Sequence, residues 1–164
     1  MNKLQVKGTQ SFLGVEIPII HGGFGENQKV MLAKTISEVH GVELRKINEL
    51  INNNIDEFEF GVDILDLKNN ENFGILAKDS GLYTQNSLNA SKNIYLLSEQ
   101  GYMTLVMLMR TDKAKEIRKQ LRREYFSMRE LINSNEQLKA NLLLKIYNGG
   151  ADAISAGKQL TEME

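Results

Sequence analysis

The sequence contains no cysteine, one proline and two histidines, and its net charge is only −1. Each shortage narrows the field. Without cysteine, and with no apolar signal segment in the opening MNKLQVKGTQ, neither secretion nor a thiolate metal site is indicated, and an intracellular location follows. His21 and His40 have no clustered carboxylates at ligand spacing, so no metal and no cofactor is expected. No apolar run approaches the roughly 20 residues that a membrane span needs, so no membrane partner is expected either. A catalytic reading has as little to stand on, because there is no Ser/His/Asp or Cys/His set and no HExxH motif. The glycines of HGGFGENQK (21–29) lack the spacing of a phosphate loop. That loop needs Gly-Lys followed by Ser or Thr, whereas Asn27 and Gln28 precede Lys29 here. They read as a turn ahead of a helix, and the chain is not expected to be an enzyme.

What is present is an ordinary globular composition, 41% hydrophobic and 25% charged, in a chain long enough for one domain plus an appendage. The near-zero charge argues against a generally polybasic nucleic-acid binder, but it hides two opposed segments. From Arg110 to Arg129 there are eight basic and three acidic residues, and from Ile55 to Asn72 there are six acidic residues against Lys68 alone.

The stretch VMLAKTISEVHGVELRKINELINNN (30–54) has the spacing of two short amphipathic helices hinged at Gly41. The first would bury Leu32, Ile36 and Val39, and the second Leu44, Ile47 and Ile51. Ser37 supplies the small residue that a close helix crossing needs, and Val42 and Leu50 add apolar contacts. This is the pattern of a helix-turn-helix, whose second helix would expose Glu43, Arg45, Lys46, Asn48, Glu49 and Asn52. Arg45, Lys46, Asn48 and Asn52 are side chains able to read base edges and phosphates. An ordinary helical hairpin with solvated charges is the competing reading. His40 is expected to be a partly buried packing residue.

Around that stretch, residues 3–20 predict two short strands turning at Gly8–Ser11, with Pro18 at an edge or strand end. FEFGVDILDL (58–67) reads as a half-buried strand with an acidic outer side, FGILAK (73–78) as a short helix, and NIYLL (93–97) as a strand closing a hairpin with a wing-like loop. Ser98 predicts an N-cap for a helix burying Tyr102, Leu105, Val106 and Met109. A second cap at Thr111–Asp112 starts a long helix over 112–133, with Ala114, Ile117, Leu121, Tyr125 or Glu124, Met128 and Leu131 in heptad-like spacing. Lys115, Arg118, Lys119, Arg122, Arg123 and Arg129 lie on its remaining surface, either merely solvated or contacting phosphates. After a break at Asn133–Asn135, Leu138, Leu142, Leu143 and Ile146 make an apolar stripe that stops at Gly149-Gly150 and must cover itself against the body or a second copy of the chain. A homodimer is expected. The last stretch is weakly helical without a stop signal at Glu164, so the chain is expected to continue in its natural form.

The run from His21 to Lys68, then NIYLLSEQGYMTLVMLM, then the basic helix ending EYFSMRE, resembles the N-terminal domain of phage anti-repressor proteins. These form the KilA-N/Bro-N group, and the likeness is nearest the Orf-six N-terminal type. The resemblance covers roughly residues 3–150. It implies an α+β fold, winged-helix-like, with a helix-turn-helix core and small β-hairpins followed by a long basic helix and a C-terminal helix. Residues 1–133 would be the DNA-binding domain, and 134–164 an extension or linker to a further domain. It also implies a phage or prophage anti-repressor or transcriptional regulator acting on double-stranded DNA in the bacterial host cytoplasm, with a repressor protein as a further partner. The alternative is a protein-interaction module that sequesters a repressor without binding DNA, using the acidic strand and the apolar C-terminal helix.

Overall fold

The computed structural model describes residues 2–163. It is an α+β protein with a five-stranded antiparallel sheet and, among the described residues, seven α-helices. Two compact units divide it, residues 1–117 and 118–164. Among the described residues no helix is long and apolar enough to cross a membrane.

The chain opens with a hairpin, β1 (Asn2–Phe12) and β2 (Val15–Gly23). The turn is at Leu13-Gly14 and not at Gly8–Ser11. Both Leu13 and Gly14 have positive φ, the conformation a two-residue turn needs to match the twist of its strands. Gly8 instead sits at a register shift inside β1, where its φ of 126° suits a bulge. Pro18 lies within β2, an inner strand of the sheet. It is accommodated there because β3 (Lys29–Leu32) pairs only with Ile20 and His21, which leaves that side of β2 open at Pro18.

Residues 29–32, including Val30 and Leu32 of the hinged stretch, therefore form a strand. Helix α1 starts only at Ala33. Leu32 is buried as expected, but as the end of β3. The elements that follow are α1 (Ala33–His40), α2 (Leu44–Asn53), β4 (Ile64–Asp66), α3 (Glu71–Asp79), α4 (Gln85–Ala90), β5 (Tyr95–Ser98) and α5 (Glu99–Leu108). The sheet order is β1-β2-β3-β5-β4. β5 is buried throughout and separates two cores. Tyr95 and Leu97 join Ile36, Ile47, Ile51, Ile64 and Leu105 beneath α1, α2 and α5, while Leu96 joins Leu4, Ile20, Leu32, Phe73 and Ala77. The alternation of side chains along one strand thus serves both faces of the sheet.

Only Ile64–Asp66 of the expected strand 58–67 is in the sheet. Gly61, at φ 86°, turns the chain and its N–H donates to the Ile64 carbonyl, so Phe60 and Val62 stay exposed. β4 and β5 do pair, but residues 67–94 between them hold α3 and α4, so the connection is a helical excursion and not a wing. Ser98 caps α5 as expected, accepting from the Gly101 N–H, and Tyr102, Leu105, Val106 and Met109 are buried. Thr111 accepts from the Ala114 N–H at the start of α6 (Asp112–Asn148). α6 does not break at Asn133–Asn135. These residues are exposed, where the helix-propensity deficit of Asn and Ser is well under 1 kcal/mol each, and Ser134 Oγ donates to the Leu131 carbonyl. The stop comes at Gly149-Gly150, both at positive φ, followed by α7 (Ala151–Glu162).

Candidate nucleic-acid interface

The geometry around Gly41 follows from its sequence. Gly41 adopts φ 65°, ψ 37°, which a Cβ would strain, and its N–H donates to the Glu38 carbonyl while that of Val42 donates to the Ser37 carbonyl. Ser37 is buried, small enough for the crossing, and returns its hydroxyl proton to the Lys34 carbonyl. The inner side of α2 buries Ile47 and Ile51 against α1 and the sheet, with Val42, Leu44 and Leu50 half-buried around them. Its outer side exposes Glu43, Arg45, Lys46, Glu49 and Asn52.

The four side chains expected to read DNA are not equivalent. Arg45 and Lys46 are exposed, and Arg45 Nε lies 3.6 Å from Glu49, an exposed pair contributing a few tenths of a kcal/mol. Asn48 is half-buried and its Oδ1 is enclosed without a hydrogen-bond partner. Asn52 accepts from the Tyr95 hydroxyl and so ties α2 to β5. With Glu43 and Glu49 beside Arg45 and Lys46, the outer side of α2 carries no net charge.

The basic residues cluster along α6. Lys115, Lys119 and Arg123 follow one another at i, i+4, i+8, and Arg118 and Arg122 lie beside them at i, i+4, so all five share one broad side of the helix. Lys115 pairs with Asp112 at 3.1 Å in an exposed contact. α2 and Lys115 belong to the first unit, and Arg118, Lys119, Arg122 and Arg123 to the second. Lys113, which charge counting alone would add to the cluster, is engaged elsewhere, its ammonium donating to the carbonyls of Val39 and Leu13. It neutralises the C-terminal end of α1.

The acidic segment is partly internal. Asp63 is buried and accepts from the Glu59 N–H, and Asp66 accepts from the backbone of Lys68 and Ile94 and from the Asn93 amide. The expected acidic outer side loses Asp63 and keeps the exposed Asp56, Glu57, Glu59, Asp66 and Glu71. Among the described residues no three His, Asp or Glu side chains are grouped so as to hold a metal ion.

Sequence periodicity did not reveal the polar centre behind the hinge. His40 is buried, with Nδ1 2.9 Å from Thr111 Oγ1 and Nε2 2.9 Å from the Tyr102 hydroxyl, so it links α1, α5 and the α6 cap. Burial, and secondarily the Lys113 charge, lower its pKa below 6.5. The unfolded chain therefore takes up a proton at a pH where the folded one does not. This contribution to stability is complete above pH 6.5 and is lost as the pH falls towards the lower folded value. The urea midpoint should drop between pH 7.5 and 5.5, and His40→Gln, which keeps a donor and an acceptor, should flatten part of that drop. An equal drop in both proteins would remove His40 as its source.

The ORF6N domain family matches residues 24–108. The match runs from the turn before β3 to the end of α5; the β1–β2 hairpin, α6 and α7 lie outside it. No curated protein and no solved structure matches the chain.

Proposed function

With half of its length matched, the chain belongs to the ORF6N domain family, a phage-associated regulatory family, and from that premise we propose that it is the DNA-binding N-terminal part of a phage or prophage anti-repressor or transcriptional regulator. In this reading α2 enters a groove of double-stranded DNA with Arg45 and Lys46 foremost, and Lys115, Arg118, Lys119, Arg122 and Arg123 hold phosphates.

The observation that carries the reading is the spacing on α6. Lys115/Lys119, Arg118/Arg122 and Lys119/Arg123 are like-charged pairs at i, i+4. Each destabilises the isolated helix by a few tenths of a kcal/mol, the reverse of what a merely solvated face selects. A row of phosphates relieves that repulsion and releases counterions as well. The outer side of α2, whose charges cancel, adds little attraction of its own, so affinity depends on α6. The alternative, capture of a repressor without DNA, draws on the acidic segment and the apolar C-terminal helix, and the burial of Asp63 removes one carboxylate from that acidic surface.

Fluorescence anisotropy against a random duplex in about 50 mM salt should give a Kd below about 100 μM. Lys119→Glu with Arg122→Glu should weaken binding at least about tenfold and make the salt slope shallower by about two. No binding in that range, or binding that ignores the double charge reversal, would count against DNA as the target.

A further inference from the structure

The apolar side of α6 in the second unit has a spacing that its own chain leaves unused. Leu121, Met128, Asn135 and Leu142 recur every seven residues, with Leu131 and Leu138 three after Met128 and Asn135. These are the a and d positions of a coiled coil, and a lone Asn at an a position is the usual mark of a two-stranded one. At the d position between Leu121 and Met128 stands Glu124, which accepts from the Gln120 amide at 2.8 Å, and the exposed apolar residue beside it is Tyr125. Tyr125, Met128, Leu131, Ile132 and Leu138 are each between 47% and 61% exposed. At about 100 Å² apiece they present about 500 Å² of apolar surface. With the polar share usual at interfaces this makes about 800 Å² per chain, the size of a specific contact. Leu142 is already buried, so the free stretch ends before it.

We propose that α6 pairs with α6 of a second copy of this chain as a parallel, in-register, two-stranded coiled coil over residues 121–138. Register follows from Asn135. Among Met128, Leu131, Leu138 and their counterparts its amide finds a hydrogen-bond partner only in the other Asn135, and the two meet only when the helices run in the same direction without a shift. The pairing stands on α6 alone. What rests on the DNA reading is its use, since it tethers two copies of α2 as a two-fold pair of half-sites requires.

Light scattering on the whole chain at about 50 μM, without DNA, tests the pairing separately from the DNA reading. The mass should be twice the 18.6 kDa of one chain, and Met128→Glu with Leu131→Glu should return it to that of a single chain with helical circular dichroism retained. Because the chain has no cysteine, Asn135→Cys introduces a lone thiol. Facing a positions lie roughly 6 Å apart between Cα atoms, within disulfide reach, so mild oxidation should cross-link two chains. Glu130→Cys, on the far side of the helix, should not. A single-chain mass for the unaltered protein, no cross-link through Asn135→Cys, or equal cross-linking from both cysteine variants overturns the proposal.

Discussion

Gly101→Ala should cost the protein more than about 3 kcal/mol and lower its Tm by more than about 10 °C, whereas Gly74→Ala, the same change in another helix, should leave stability unchanged or raise it by up to about 1 kcal/mol. Gly101 is the third residue of α5, and a Cβ there would lie 1.9 Å from the Asp63 carbonyl oxygen and 2.7 Å from its carbon. Both are backbone atoms. They cannot turn aside as a side chain would, and the same carbonyl accepts from the Ser98 N–H where β5 passes into α5. Moving it breaks that bond and shifts β4 against the cores beneath it. At Gly74 in α3 an added Cβ meets nothing within 4 Å, so the ordinary helix preference of alanine over glycine decides the sign. Urea denaturation followed by circular dichroism measures both, and a loss of under about 1 kcal/mol for Gly101→Ala would show that the contact yields easily.

That contact joins residues far apart in the chain, which is why no local pattern announced it. The features read correctly from the sequence were local ones. The hinge needed only Gly41 and an apolar period on either side, and the starts of α5 and α6 needed only the hydroxyls of Ser98 and Thr111. The misread features were settled by distant partners. Val30–Leu32 fits a helical period as well as a strand, and pairing with β2 and β5 on either side makes it a strand. Gly8–Ser11 has a turn-like composition, yet the chain reverses at Leu13, a residue type seldom found at positive φ. In the candidate interface the residue types were legible and their availability was not. Lys113 is taken up by Val39 and Leu13, and Asn52 by Tyr95. The largest departure is the uninterrupted course of α6 through Asn133–Asn135. It turned two expected stripes into one helix whose basic side and apolar side can serve different partners.

Asp63→Lys is the second variant with a large expected effect, a loss of about 3 kcal/mol or more, and it separates a fold defect from a binding defect. On sequence alone Asp63 belongs to an acidic surface, and reversing its charge would be a natural way to ask whether that surface grips a repressor. In the structure the residue is 5% exposed, one carboxylate oxygen accepts from the Glu59 N–H at 2.9 Å, and the other is enclosed without a donor. Lysine removes that acceptor, leaves the Glu59 N–H without it, and either buries an ammonium or forces the side chain out through the turn that carries the Asp63 carbonyl to Ser98. Asp63→Asn keeps an acceptor of the same shape and should cost less than about 1 kcal/mol. Asp56→Lys and Glu57→Lys, at exposed positions of the same segment, should stay within about 0.5 kcal/mol of the parent. Lost repressor capture in Asp63→Lys alone would therefore report unfolding, and only loss in Asp56→Lys or Glu57→Lys, at unchanged urea midpoint, would report an acidic docking surface. Stability of Asp63→Lys equal to that of Asp56→Lys would mean that the Asp63 carboxylate faces solvent and that its bond to the Glu59 N–H does not hold the turn.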